Sequence, residues 1–134
     1  MGRMTFVNLP VNDLGRSIEF FSQLGFGFDP QFTDDTAASM IISDDSFVML
    51  IAEDRFKDFT RKAIADAHAT TEVLVALSAE SREEVDDLVA GALAAGGAPA
   101  NDPLEDGFMY GWSFEDPDGH IWELIYMDEE ALER

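Results

Sequence analysis

Cysteine is missing from all 134 residues. Disulfides, zinc–thiolate centres and a thiol nucleophile are thereby excluded. Positive charge is scarce: 8 Lys and Arg stand against 28 Asp and Glu, for a net charge of −20. A surface of that sign repels phosphates, so no nucleic-acid partner is expected. It favours solubility and would steer a cationic ligand. No apolar run approaches the ~20 residues of a membrane-spanning helix. The first residues lack the basic-then-apolar pattern of a signal peptide, so a cytoplasmic location is expected. No Gly-rich phosphate loop follows a strand, and no serine stands in a readable pairing with a base. Histidine is limited to His68 and His120. His68 lies in a polar loop beside Asp66, and His120 directly follows a turn glycine. Both read as solvated surface residues, and strand alternation keeps His120 off the face of Glu123.

Hydrophobic residues make up 46% of the chain and charged residues 27%, which is ordinary globular usage for one domain spanning residues 1–134. Phe6 to Val11 reads as a strand, with Val7, Leu9 and Val11 alternating against Phe6, Asn8 and Pro10. Asp13 caps a helix whose Leu14, Ile18, Phe21 and Leu24 recur at helical spacing, and Gly25 stops it. Phe26 to Phe32 is a short extended piece. Ala38–Ser43 and Phe47–Ala52 are two strands joined by a turn at 43–46. Arg55 to Asp66 reads as a loop with a short helix.

The order then recurs. Glu72 to Ser78 is a strand, and Ser81 with Glu84 forms a capping box. Val85, Leu88, Val89 and Leu93 make a helical stripe that ends at Gly96-Gly97. A loop rich in Pro, Asn and Asp leads to a hairpin, Met109–Phe114 and Gly119–Met127, turning on Asp116-Pro117-Asp118-Gly119. The tail, 128–134, is charged and expected to fray or form a short helix. The fold class expected is α+β. Two βαβββ modules, about 4–53 and 71–127 with a connecting loop at about 54–70, form one curved mixed sheet around a cavity, with helices outside.

These motifs resemble the vicinal oxygen chelate superfamily of glyoxalase-like proteins, bleomycin-resistance proteins and extradiol dioxygenases. The resemblance rests on Phe6-Val7-Asn8-Leu9-Pro10-Val11-Asn12-Asp13-Leu14, on Ser17-Ile18-Glu19-Phe20-Phe21 with Leu24-Gly25-Phe26, and on Glu115-Asp116-Pro117-Asp118-Gly119 with Glu123. It implies the same pair of modules. In metal-dependent members, one side chain from the first and last strand of each module holds the metal. By local pattern those positions fall here on Phe6, Met49, Leu74 (or Glu72 if the register slips by two) and Glu123. Phe and Leu are not ligands, and a thioether is a poor one for hard cations. No metal and no cofactor are therefore expected.

The expected activity is metal-independent binding of a small molecule, apolar or cationic, as in the bleomycin-resistance proteins. The expected pocket residues are Phe6, Asn8, Met49, Leu74, Tyr110 and Glu123. Glu123 is the one candidate catalytic group. The alternative is a glyoxalase-like lyase or isomerase with Glu123 as base or metal ligand. A purely structural role is also open: Glu123 as a hydrated carboxylate bonded to a neighbour such as Tyr110 or Asn8. The resemblance also implies a homodimer, and Trp112, Trp122 and Tyr126 supply apolar surface for one.

Overall fold

The computed structural model describes residues 2–128 and 130. The expectation for the tail thus falls almost wholly outside the described residues. The chain divides into two compact units, Met1–Ala65 and Asp66–Arg134. The α+β class is as expected, and strand pairing closes within each unit: four strands in the first mixed sheet and five in the second. Among the described residues no helix is long and apolar enough to cross a membrane.

In the first unit, β1 (Thr5–Val11) leads to α1 (Leu14–Gln23), β2 (Gly27–Phe28), β3 (Ala37–Ser43) and β4 (Ser46–Ala52). The spatial order is β1-β4-β3-β2. The β1–β4 pair is parallel and the β3–β4 pair antiparallel. The extended stretch expected at 26–32 shortens to β2, because Pro30 opens a 3-10 turn at Pro30–Phe32. Asp13 caps α1 by accepting from the Arg16 N–H (3.1 Å), and Gly25 takes φ +97° just past the helix end. The buried stripe of α1 is Leu14, Ser17, Phe20 and Phe21. Phe20 meets Phe21 edge-to-face at 4.9 Å. Val11, Met40, Val48 and Leu50 complete the core of this sheet.

After α2 (Glu53–Phe56) and the connecting segment, the second unit runs β5 (Leu74–Ser78), α3 (Arg82–Ala94), β6 (Ala98–Pro99), β7 (Leu104–Asp106), β8 (Met109–Glu115) and β9 (Ile121–Met127). Its order is β5-β9-β8-β6, with β7 also pairing β8. β5 begins two residues later than the expected Glu72. Strands β6 and β7 lie where a plain loop was expected, since each is too short to leave an alternating pattern. The capping box is half formed. Ser81 Oγ accepts from the Glu84 N–H, but Glu84 Oε1 accepts from Glu80 N–H rather than from the cap residue itself. Val85, Val89 and Ala92 are the buried stripe of α3, whereas Leu93 is 37% exposed.

Candidate functional site: two equivalent sheet faces

Alternation gives each sheet a face packed on its helix and a face turned away from it. In the first unit Val7, Leu9 and Val11 lie on the helix side, while Phe6 and Asn8 lie on the other. Phe6 pairs with Phe47, and Asn8 with Met49. On β3, Ser39 pairs with Met49. The Phe6 and Phe47 rings stack with centroids 5.4 Å apart and planes 14° from parallel. Phe6 is nonetheless 52% exposed. Phe6, Asn8 and Met49 are therefore brought together on one face.

The second unit repeats this register. Leu74 pairs with Ile121 and Ala76 with Glu123, both in parallel. Ser113 pairs with Glu123 from β8. Leu74 thus holds the station of Phe6, and Glu123 that of Met49, while Glu72 precedes the strand. Leu74 is 51% exposed. Glu123 is half-buried. Among the described residues it makes no hydrogen bond or ion pair.

Tyr110 does not belong to this group. It pairs with Tyr126, which has the opposite parity to Glu123. Its hydroxyl donates to Asp86 on α3, and the Arg82 guanidinium lies 4.3 Å from its ring centroid. Burial and that bond, the bond first, raise the phenol above its ordinary range. The expected contact of Tyr110 with Glu123 is therefore corrected: the side chain fastens the helix to the other face of the sheet. Trp122 is corrected too. It is 1% exposed and lies under α3, so it offers no surface to a partner.

The turn before β9 is built around a buried carboxylate. Asp116 is 3% exposed. Its Oδ1 accepts from the backbone N–H of Asp118 (2.9 Å) and His120 (3.0 Å), and its Oδ2 accepts from Trp122 Nε1 (3.0 Å). Burial pushes the carboxyl up from its usual range, against the opposing pull of His120, Trp122 and the Asp118 N–H. His120, expected on the surface, is 8% exposed. His68 is exposed as expected, but its backbone packs on the turn. A Cβ on Gly119 would lie 2.8 Å from His68 N and Nδ1, and φ there is +90°. The signal was present in the spacing: Asp followed by donors at i+2, i+4 and i+6, the last an indole.

The fold is that of a paired βαβββ protein, and solved structures match it closely. Hypothetical protein SA1046 from S. aureus is 30% identical, with TM-score 0.78, over 94% of this chain and 95% of that one. A glyoxalase/bleomycin resistance protein/dioxygenase family enzyme from Burkholderia phytofirmans PsJN is 19% identical, with TM-score 0.77, over 94% and 99%. A glyoxalase-related enzyme from Fulvimarina pelagi is 20% identical, with TM-score 0.77, over 94% and 88%. No curated protein matches the sequence. The family model for the Glyoxalase/Bleomycin resistance protein/Dioxygenase superfamily matches residues 3–124, and the chain belongs to that superfamily.

The residues at the positions that the resemblance gives to a metal do not carry the donors for a divalent ion. A phenyl ring and an isobutyl group carry no donor, a thioether suits only soft metals, and one carboxylate remains. A tight site takes three or more N, O or S donors. Among the described residues no three His, Cys, Asp or Glu side chains group as such a site requires.

Proposed function

We propose that this chain is a small-molecule binding protein of the glyoxalase/bleomycin-resistance type that works without a metal ion. Its ligand contacts are Phe6, Asn8, Met49, Leu74 and Glu123. The observation that carries this reading is the repeated register. In its support, Phe6 and Met49 share a face in the first unit, and Leu74 and Glu123 hold the corresponding positions in the second. Such a set favours a flat apolar ligand with a positive group. The Phe6–Phe47 stack offers a ring face, thioethers pack adaptably on aromatic ligands, and Glu123 supplies the counter-charge. The net charge of −20 would speed the approach of a cation. The protein acts as a homodimer in this reading, with Phe6 and Leu74 as the exposed apolar residues available for cover. Light scattering at high micromolar concentration and moderate salt should give twice the monomer mass.

The test of metal independence is dialysis against moderate salt, which strips cations from surface carboxylates by screening. No stoichiometric nickel, zinc or iron should remain. One equivalent that survives dialysis, and is lost in Glu123→Gln, would replace this reading with a metal-dependent lyase. The test of binding is a thermal shift with an aromatic amidine probe. The wild type should be stabilised, and Glu123→Gln should lose most of that effect. Turnover of a carbonyl substrate that is lost in Glu123→Gln would instead make Glu123 a catalytic base.

A further inference from the structure

We propose that Ser113 is a positioning residue for Glu123. The proposal rests on Glu123 being the polar contact of the binding face. Ser113 is 3% exposed, and its Oγ accepts from the Asn101 backbone N–H at 2.9 Å. A serine hydroxyl has two acceptor sites and one proton. The Asn101 bond uses an acceptor site and leaves the proton to be placed. A proton buried to this degree favours an acceptor strongly.

The antiparallel register puts Glu123 directly opposite Ser113. Side chains opposed in this way have Cβ atoms about 4.5–5.5 Å apart on the same face. On that face Ala76 pairs with Glu123 from the other side, Ile121 and Ile125 flank it along β9, and the one other carboxylate beside Ser113, Glu115, lies two residues along β8, farther off than the directly opposed Glu123. The Glu123 carboxylate is thus the strong acceptor nearest the Ser113 proton, and a turn about its own side-chain bonds brings it within reach. One oxygen then accepts a hydrogen bond from the Ser113 hydroxyl, and the other faces outward with its direction fixed. The Asn101 bond makes this specific, because it stops the hydroxyl from rotating freely. In the first unit the equivalent serine, Ser39, stands beside Met49, whose thioether is only a weak acceptor. The polar pair is therefore a property of the second sheet alone.

A double-mutant cycle with Ser113→Ala and Glu123→Met, which removes the oxygen acceptor as Met49 does in the first unit, is read by urea unfolding at neutral pH without ligand and tests the coupling. The serine substitution should shift the folding equilibrium at least about threefold less in the Glu123→Met background than in the wild type. Additive effects overturn the proposal and leave Ser113 only as the anchor of Asn101. If Ser113→Ala does not fold, Ser113→Cys replaces it, since a thiol is a weak donor and should show the same non-additivity. The same four proteins are then titrated with the amidine probe. Coupling in urea without probe binding in the wild type keeps the positioning role and removes the binding reading. Binding without coupling does the reverse.

Discussion

The two units place a buried serine at the same station, Ser39 in one and Ser113 in the other, yet give it different company. Beside Ser39 is a methionine, and beside Ser113 a glutamate. The stations of Phe6 and Leu74 are both about half exposed and both apolar, but only the first has an aromatic partner stacked on it. Repeated topology therefore fixes where side chains point, while each unit remains free to choose their chemistry. The turns differ as sharply. The β3–β4 turn of the first unit is an exposed pair of aspartates, with a long 3.4 Å contact from Asp45 N–H to Ser43 Oγ. The β8–β9 turn of the second unit is built around a buried carboxylate with three donors.

That contrast predicts the largest effect. Asp116→Ala leaves two backbone donors and the Trp122 indole N–H unpaired in a buried setting, and should cost about 3–4 kcal/mol. Ser43→Ala in the opposing turn should stay within about 0.5 kcal/mol. Urea unfolding of both variants checks the pair, and equal costs would mean that Asp116 is not the centre of its turn. Next in size is a comparison of glycines. Gly25 and Gly119 both have positive φ, at +97° and +90°. A Cβ on Gly25 meets nothing within 4 Å, while one on Gly119 runs into the backbone of Ala67 and His68. Gly25→Ala should therefore cost about 1–2 kcal/mol from conformation alone. Gly119→Ala should cost about 1 kcal/mol more, because backbone has to move. Similar unfolding midpoints for the two would show that the 67–68 segment gives way freely.

Much of this architecture is legible in the residues. Asp13 and Gly25 bracket α1 because a cap donor and a left-handed stop are local requirements, readable without knowing the fold. Alternation in β1 and β9 names the two faces of each sheet for the same reason. What is not legible depends on pairing across distance. β6 and β7 are two and three residues long and exist only because β8 offers them an edge. Tyr110 lies on the face opposite Glu123 because the parity of β8 against β9 is set by the pairing across the turn, not by Tyr110 itself. Phe20 is core although the i, i+3, i+4 pattern favours Ile18, because the apolar stripe of α1 is wide enough to turn Phe20 inward and leave Ile18 half-buried. A histidine after a turn glycine is usually solvated, but His120 is buried, with its backbone N–H held by the buried Asp116.

A third prediction concerns pH. The carboxyl of Asp116 titrates above its ordinary value of 3.8, with burial as the largest cause. A raised carboxyl contributes its stability fully below the unfolded value and loses it as pH rises through the folded value. Asp116→Asn does not titrate at this position. The stability margin of the wild type over Asp116→Asn should therefore shrink as pH is raised from below 3.8 toward neutrality, by at most about 1.4 kcal/mol per pH unit. A margin that grows with pH would mean that the three N–H donors outweigh burial, and that the ionised form is the one the turn is built for.

The smallest effect belongs to an ion pair between helix and strand in the second unit. Arg82 at the start of α3 grips Glu105 on β7 through two contacts, Nη1 to Oε1 at 2.7 Å and Nη2 to Oε2 at 2.8 Å. The hydrogen bond from Arg82 holds the Glu105 carboxyl below its ordinary range. Both side chains are about half exposed, so solvent screens the pair and global stability should hardly change. Local order is a different quantity. β7 is fully exposed and pairs with β8 over only Leu104, Glu105 and Asp106, so little else holds it. Glu105→Gln should leave the urea midpoint in place while amide exchange along β7 accelerates. In the wild type the same acceleration should appear on adding salt. It should also appear as pH falls through the folded value of Glu105, because a lowered carboxyl loses its contribution in that direction. In Glu105→Gln neither salt nor acid should add to it. A midpoint that drops as far as in Gly119→Ala, or β7 exchange indifferent to all three changes, would show that the strand is held by its ladder to β8 and that the grip of Arg82 is incidental.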